Sequence, residues 1–367
     1  MNTTTFYEGH PTLTQGGHVS NKGPQELVER YDKLLSTPRM SWTEHHCLNR
    51  ELGRGGQGVV FLSERRGADG FTLPVALKVF SPQNFDDARA YDDAMSRIAN
   101  VTARVAQIQQ DNLIDVQNFV DRNRIRIMEM EWIDGYDLSR LLTRQKFKET
   151  RELMTAKEWG HLTNVIVTEG PQQPRLKAGV AVAVIRECLA ALAALHRNNI
   201  VHGDIKPSNI MVKRTGNAKI VDIGSAVALD DMPPKRTITP TYAAPEVLES
   251  GACTPRSDLA SLGYVLIEML SGRQPFAGLT KVSEQLEAKR FLAQRLPQIL
   301  PPDVVCNDLL MNFCRLLIAP DPTRRFATAE AANLDERGAS AIQRQLVMGD
   351  LASEYDNDLR VWLERLA

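Results

Sequence analysis

Cysteine is scarce in this sequence. The five in 367 residues, Cys47, Cys188, Cys253, Cys306 and Cys314, are odd in number and include no C-x-x-C pair. That argues against a disulfide framework or zinc ribbon and fits a reducing compartment. An excess of one charge is also missing: 44 Lys plus Arg stand against 45 Asp plus Glu, a formal net charge of -1. The chain as a whole therefore exerts no pull toward nucleic acid or an anionic membrane. Residues 1–24 have neither the basic start nor the apolar centre of a signal peptide, and no run approaches the ~20 apolar residues of a membrane span. The expectation is a soluble, cytoplasmic protein without a nucleic-acid partner. What is present is ordinary globular material, 43% hydrophobic and 24% charged. The length exceeds one small domain, leaving one bilobal unit or two separate domains.

Periodicity divides the chain. Residues 1–40 read as a flexible arm followed by a short helix, with Leu27, Tyr31, Leu34 and Leu35 at helical spacing. From Cys47 to about Phe80 short β-rich runs alternate with glycine. Residues 84–110 are helix-like with an Asx cap at the start, and Arg124 to Trp132 returns to strand. Residues 178–197 place Ala181, Ile185, Cys188, Leu192 and Leu195 on one face, and residues 259–270 are apolar almost all round, so both predict buried helices. Between them lie two strand-like segments, 209–212 and 219–222, joined by a turn. The polar stretch 144–177 reads as an insertion, and 338–367 as one or two tail helices.

Residues 52–62 read L-G-R-G-G-Q-G-V-V-F-L, which sets Gly53, Gly55 and Gly58 in a G-x-G-x-x-G pattern before Val60. A strand, not a helix, follows, so a dinucleotide-binding turn is disfavoured. Lys78, in V-A-L-K, projects from a strand that this loop can cover. Then come H-G-D-I-K-P-S-N at 202–209, D-I-G at 222–224 and A-P-E at 244–246. This ordered set resembles the eukaryotic-like serine/threonine protein kinases of the bacterial, non-RD type over residues 52–337, roughly three quarters of the chain.

The resemblance implies an α+β, bilobal fold: a β-rich small lobe at 41–134, a mainly helical large lobe at 135–337 carrying the insertion 144–177, and a tail at 338–367. It implies ATP and Mg²⁺ as cofactors and a protein substrate with a Ser or Thr acceptor. Gly53, Gly55 and Gly58 would cover the ATP phosphates, Lys78 would hold them, and Asn209 and Asp222 would bind the metal. Asp204 would deprotonate the acceptor hydroxyl while Lys206 neutralises the transferring phosphate. Val60 and Ala76 would sandwich the adenine, with Met130 as gatekeeper and the backbone of Glu131 and Ile133 meeting its edge. Asp137 would meet the ribose or simply sit in a solvated loop. Glu246 would pair with Arg325, and Thr237, Thr239 and Thr241 are candidate phosphosites.

Three positions depart from the family pattern. Gly203 replaces the arginine that reads a loop phosphate, Ile223 replaces phenylalanine in D-F-G, and residues 84–110 contain no glutamate to pair with Lys78. Asp92 and Asp93, the nearest carboxylates, lie two turns or more too early: they would reach Lys78 only from a shifted or extended helix, and the preferred expectation is that they are solvated charges near the helix start. These departures keep a second reading open, a kinase-like scaffold without activity that works through a partner. A kinase of small alcohols is a third, opposed by Lys206, the A-P-E and the D-P-T-R-R at 321–325. The adjacent His45, His46 and Cys47 alternate faces in a strand and lack a fourth ligand, so strand-edge positions are preferred to a metal site. The basic residues of the insertion (Arg144, Lys146, Lys148, Arg151 and Lys157) are expected to form a solvated loop and otherwise to dock an acidic substrate or a regulatory partner. Trp362 marks the tail as either a partner surface or a helix packed on the large lobe.

Overall fold

The computed structural model describes residues 45–233, 238–251, 253–348 and 355–366; the expected arm, the helix at 24–35 and Thr237 lie outside them. Five strands form the first layer: β1 (His45–Gly55), β2 (Gly58–Arg66), β3 (Thr72–Phe80), β4 (Val116–Arg122) and β5 (Ile125–Glu131), in the order β1-β2-β3-β5-β4. The middle strand, β3, is paired on both edges, so Val75, Ala76, Leu77 and Phe80 are all buried. Lys78 is carried inside with them, in register with Val60 and Met128. The β4–β5 turn consists of Asn123 and Arg124, both at positive φ, 52° and 67°. Two such residues give the tight turn that matches strand twist, although neither is glycine. Side-chain support offsets the strain: Asp121 accepts the Arg124 N–H at 2.9 Å, and the Arg124 guanidinium meets Asp92 at 2.5 Å.

Helix α1 (Ala88–Val105) lies against this sheet. Its cap is Asp87, which accepts from the Ala90 N–H at 2.7 Å. Asn84, expected to begin the helix, instead donates to the Gly56 carbonyl on the glycine loop. Tyr91, Met95, Val101 and Val105 are buried. Asp92 is not simply solvated: it pairs with Arg124 and with Arg126 at 3.2 Å, and the Arg124 hydrogen bond holds its carboxyl below the usual range.

The second layer is helical. After β6 (Gly135–Asp137) come α2 (Leu138–Leu141), α3 (Arg144–Leu153), α4 (Ala156–Val165), the small hairpin β7 (Val167–Thr168) and β8 (Arg175–Leu176), and α5 (Ala178–Arg197). Next are β9 (Ile200–Val201), β10 (Ile210–Lys213), β11 (Ala218–Ile220), β12 (Val227–Ala228), α6 (Pro245–Ser250), α7 (Pro255–Ser271) and α8 (Val282–Ile299). The described chain continues through α9 (Pro302–Val305), α10 (Asp308–Leu317), α11 (Ala329–Leu334), α12 (Ala339–Met348) and α13 (Tyr355–Arg365). The buried core runs through both layers.

One expectation needs correction. α5 is 20 residues long with a mean hydropathy of 2.0 over its most apolar window, enough by length and composition to cross a membrane. Here 72% of that window is buried in the protein, packed by α7, α11, α12 and β11. Its charged side chains find partners too: Glu187 accepts from the Ala218 N–H at 2.6 Å and from Asn217 at 3.0 Å. α7 is set by a capping box between Thr254 and Ser257, with Pro255 in its first turn and Gly272 at φ 66° closing its end.

The insertion is not a solvated loop. Phe147 and Trp159 stack at 4.8 Å between α3 and α4, and Arg144 donates to the carbonyls of Gln172 and Pro171 at 2.7 and 2.8 Å. Lys146 pairs with Glu149 and lies over the Tyr136 ring, while Arg151 lies over Trp159. These three cations are engaged within the chain, whereas Lys148 and Lys157 are exposed. The tail helix α13 docks on the insertion: Trp362 is 1% exposed and donates its indole N–H to Thr150 at 3.0 Å. Tyr136 donates to the Leu366 carbonyl at 2.6 Å, and Arg365 pairs with Glu158 at 2.7 Å. Trp362→Phe, which removes the donor and leaves a gap beside Thr150, is expected to lower stability by about 1–2 kcal/mol in urea denaturation. A wild-type midpoint would contradict this docking.

Candidate active site

The loop from Val201 to Asn209 is fixed from below. Asp258, buried in the first turn of α7, accepts from the backbone N–H groups of His202 and Gly203, both at 2.9 Å, and from His196 at 2.9 Å. Burial alone would raise its carboxyl; the His196 contact and the Gly203 N–H outweigh that and hold it below the usual range. Gly203 stands at φ 74°, which an arginine adopts only with strain. The buried His202 ring meets the Val221 carbonyl through Nε2 at 3.2 Å and the Asp204 N–H through Nδ1 at 3.3 Å. A carbonyl only accepts and an N–H only donates, so the proton sits on Nε2.

Above this base the catalytic candidates converge. Lys206 Nζ donates to Asp204 Oδ2 at 2.6 Å, and the Thr239 hydroxyl donates to Oδ1 at 2.7 Å. Lys206 also reaches Thr239 at 3.2 Å. The Asn209 amide donates to the Asp204 carbonyl at 2.8 Å, and among the described residues no hydrogen bond engages its Oδ1. Across the cleft, Lys78 Nζ meets Asp222 Oδ1 at 2.5 Å. Burial works against the Asp222 charge; the Lys78 ammonium and the Gly224 N–H outweigh it and hold its carboxyl low. Asp222 adopts φ 60°, ψ 72°, the left-handed conformation that only a specific local need sustains in a non-glycine residue.

Lys78 has a second partner on the glycine loop, Gln57, whose Oε1 accepts at 2.6 Å. The loop backbone is held by the Ser81 N–H on the Gln57 carbonyl at 2.9 Å and by Arg140 on the Leu52 carbonyl at 2.7 Å. Motif reading passed over Gln57 because it occupies an unassigned x position. A Cβ at Gly224 would come within 2.6 Å of Lys78 Nζ and 2.4 Å of Gln57 Oε1, so a larger residue there would push these two side-chain ends aside.

At the hinge, Ala76 and Met130 are buried opposite each other in β3 and β5, and Val60 packs against the same core. Glu131 directs its carboxylate to Lys219 at 2.5 Å and to the Asp115 N–H at 2.7 Å, away from an edge-binding role that its backbone would serve. Ile133 is buried beside them. The Asp137 carboxylate is not in a free solvated loop: it caps α2, accepting from the Arg140 N–H at 3.1 Å and pairing with the Arg140 side chain at 3.3 Å.

The segment after Thr239 is anchored on both sides. Arg325, with a side chain 0% exposed, makes a two-pronged pair with Glu246 at 2.6 and 2.8 Å. Tyr242 donates to Glu268 at 2.6 Å, and burial raises the Glu268 carboxyl. Lys289, fully buried on α8, donates to the Thr241 carbonyl at 2.7 Å and faces the Phe276 and Tyr264 rings at 3.9 and 4.3 Å. Burial lowers its ammonium to about 7, whereas an unfolded lysine holds its proton to about 10.4. Between these values the unfolded chain binds more protons, so stability rises with pH. From pH 7 to 8.5 the wild type should gain up to about 2 kcal/mol relative to Lys289→Met, read as the difference in urea stability. Parallel profiles would contradict this.

The residues present suit ATP and Mg²⁺. Asn209 Oδ1 and Asp222 Oδ2 are hard oxygen donors free of the contacts just described, Lys78 is a buried cation, and a Cβ on Gly55 would meet nothing within 4 Å above them. A two-layer α+β fold holding these groups is the architecture of a protein kinase domain. The protein kinase domain family matches residues 47–335, and the chain belongs to that family. Among its relatives, the serine/threonine-protein kinase PrkC of Bacillus subtilis is 30% identical over 306 residues, covering 80% of this chain and 40% of PrkC. PknL of Mycobacterium tuberculosis is 28% identical over 312 residues, 83% of this chain and 67% of PknL. PknD of the same organism is 34% identical over 235 residues, 62% and 30% respectively. The chain thus spans well under half the length of PrkC and PknD.

Proposed function

We propose that this chain is an ATP-dependent serine/threonine protein kinase, with small lobe 41–134, large lobe 135–337 and a cytoplasmic site of action. The observation that carries the reading is the convergence of Lys206, Thr239 and Asn209 on Asp204, which leaves that carboxylate hydrogen-bonded yet only partly buried at the cleft floor. In the proposed reaction Asp204 takes the proton of a Ser or Thr hydroxyl. The hydroxyl oxygen bonds to the γ-phosphorus while the bond from that phosphorus to the β–γ bridging oxygen breaks, releasing ADP. Lys206 offsets charge on the moving phosphoryl group, and Lys78 orients the α and β phosphates. Asn209 and Asp222 would hold Mg²⁺, which would supply charge neutralisation.

Incubation with Mg²⁺, labelled ATP and a generic basic protein tests this. Label on Ser or Thr supports it. Label found instead only on small alcohols would favour the small-molecule reading, and nucleotide binding with no transfer would favour the inactive scaffold, which the lack of a helix carboxylate at Lys78 motivates.

A further inference from the structure

Helix α1 offers Lys78 no carboxylate. Its two acidic residues are Asp92, committed to Arg124 and Arg126, and Asp93, which is exposed. Among the described residues the lysine is nevertheless held by two acceptors, and the one besides Asp222 is Gln57. Both ends of that carboxamide are engaged: Oε1 accepts from Lys78 at 2.6 Å, and Nε2 donates to the Ser225 hydroxyl at 2.8 Å. The flipped amide would present N–H groups to an ammonium that only donates, so the orientation is fixed. Backbone contacts fix the position as well, since Ser81 and Asn84 hold the carbonyls of Gln57 and Gly56.

We propose that Gln57 is a positioning residue for Lys78, doing from the glycine loop what a carboxylate on α1 would otherwise do. The inference rests on the kinase reading, which assigns Lys78 to the nucleotide. A neutral acceptor differs from a carboxylate in one respect: it directs the ammonium without cancelling its charge, so more of the lysine's field reaches the phosphates. It also makes the aim of Lys78 depend on the loop lying over the cleft, coupling the two through one side chain.

Gln57 is partly exposed at the loop tip, so Gln57→Ala is expected to fold. Mg·ADP affinity, measured by titration calorimetry on the full chain, should fall about tenfold in Gln57→Ala, the effect of losing one hydrogen bond to a charged group. In the nucleotide-free chain, acetylation of Lys78 by an amine-reactive reagent, followed by mass spectrometry, should become several-fold faster while Lys219 reacts as before. Wild-type affinity in Gln57→Ala, an unchanged Lys78 acetylation rate, or no Mg·ADP binding by the wild type would each overturn the assignment. Neither readout requires phosphoryl transfer, so a failed kinase assay would sink the proposed function without deciding this one.

Discussion

Asp204→Asn is expected to lower phosphoryl transfer by on the order of 10³-fold, within the range that a positioned general base contributes. Asparagine keeps the size of the side chain and an oxygen for Lys206 at its present 2.6 Å. What it loses is the ability to accept a proton and the negative charge that holds Lys206 and Thr239 together. Because the loop is fixed from beneath by Asp258 through His202 and Gly203, the variant should retain its fold and its Mg·ADP affinity. The measurement is label transfer beside nucleotide binding, and undiminished transfer would remove Asp204 from the chemistry.

Most of this loop was legible in the sequence because its chemistry depends on residue types at fixed spacing. Lys206 and Asn209 meet Asp204, Asp222 meets Lys78, and the pairing of Glu246 with Arg325 was implied by the same motifs. Long periodic segments were legible too: the helix read at 178–197 is α5 to the residue. β4 was missed because its turn has no glycine; Asn123 and Arg124 take the left-handed conformation with tertiary help that only the folded sheet supplies. The insertion was misread because its helices are stabilised by α13, whose sequence begins about 200 residues after that of α4. Asp137 and Gln57 show the same limit, since neither the cap on α2 nor the bridge to Ser225 leaves a spacing signal.

Arg325→Met is the second large effect. The guanidinium is wholly buried and also donates to the carbonyls of Ala319, Arg256 and Pro320. Removing it strands the Glu246 carboxylate, whose side chain is only 15% exposed, together with three carbonyls. The expected cost is about 3–5 kcal/mol, a large part of the ~5–15 kcal/mol by which domains are stable. Glu246→Gln should cost less, because the three carbonyls still satisfy much of the guanidinium. Urea denaturation of both variants gives the comparison. A loss below about 1 kcal/mol for Arg325→Met would mean that the pair does not anchor the segment after Thr239.

α5 bears on how the protein is made. Its apolar faces are covered by α7, α11 and α12, all of which leave the ribosome after it, the last of them about 150 residues later. At roughly 5–20 residues per second, a helix apolar enough for a bilayer spends on the order of ten seconds or more without its final partners. The interval before α12 arrives is when this chain is most exposed to aggregation or mistaken capture by membrane-insertion machinery, and when a chaperone has the most to cover.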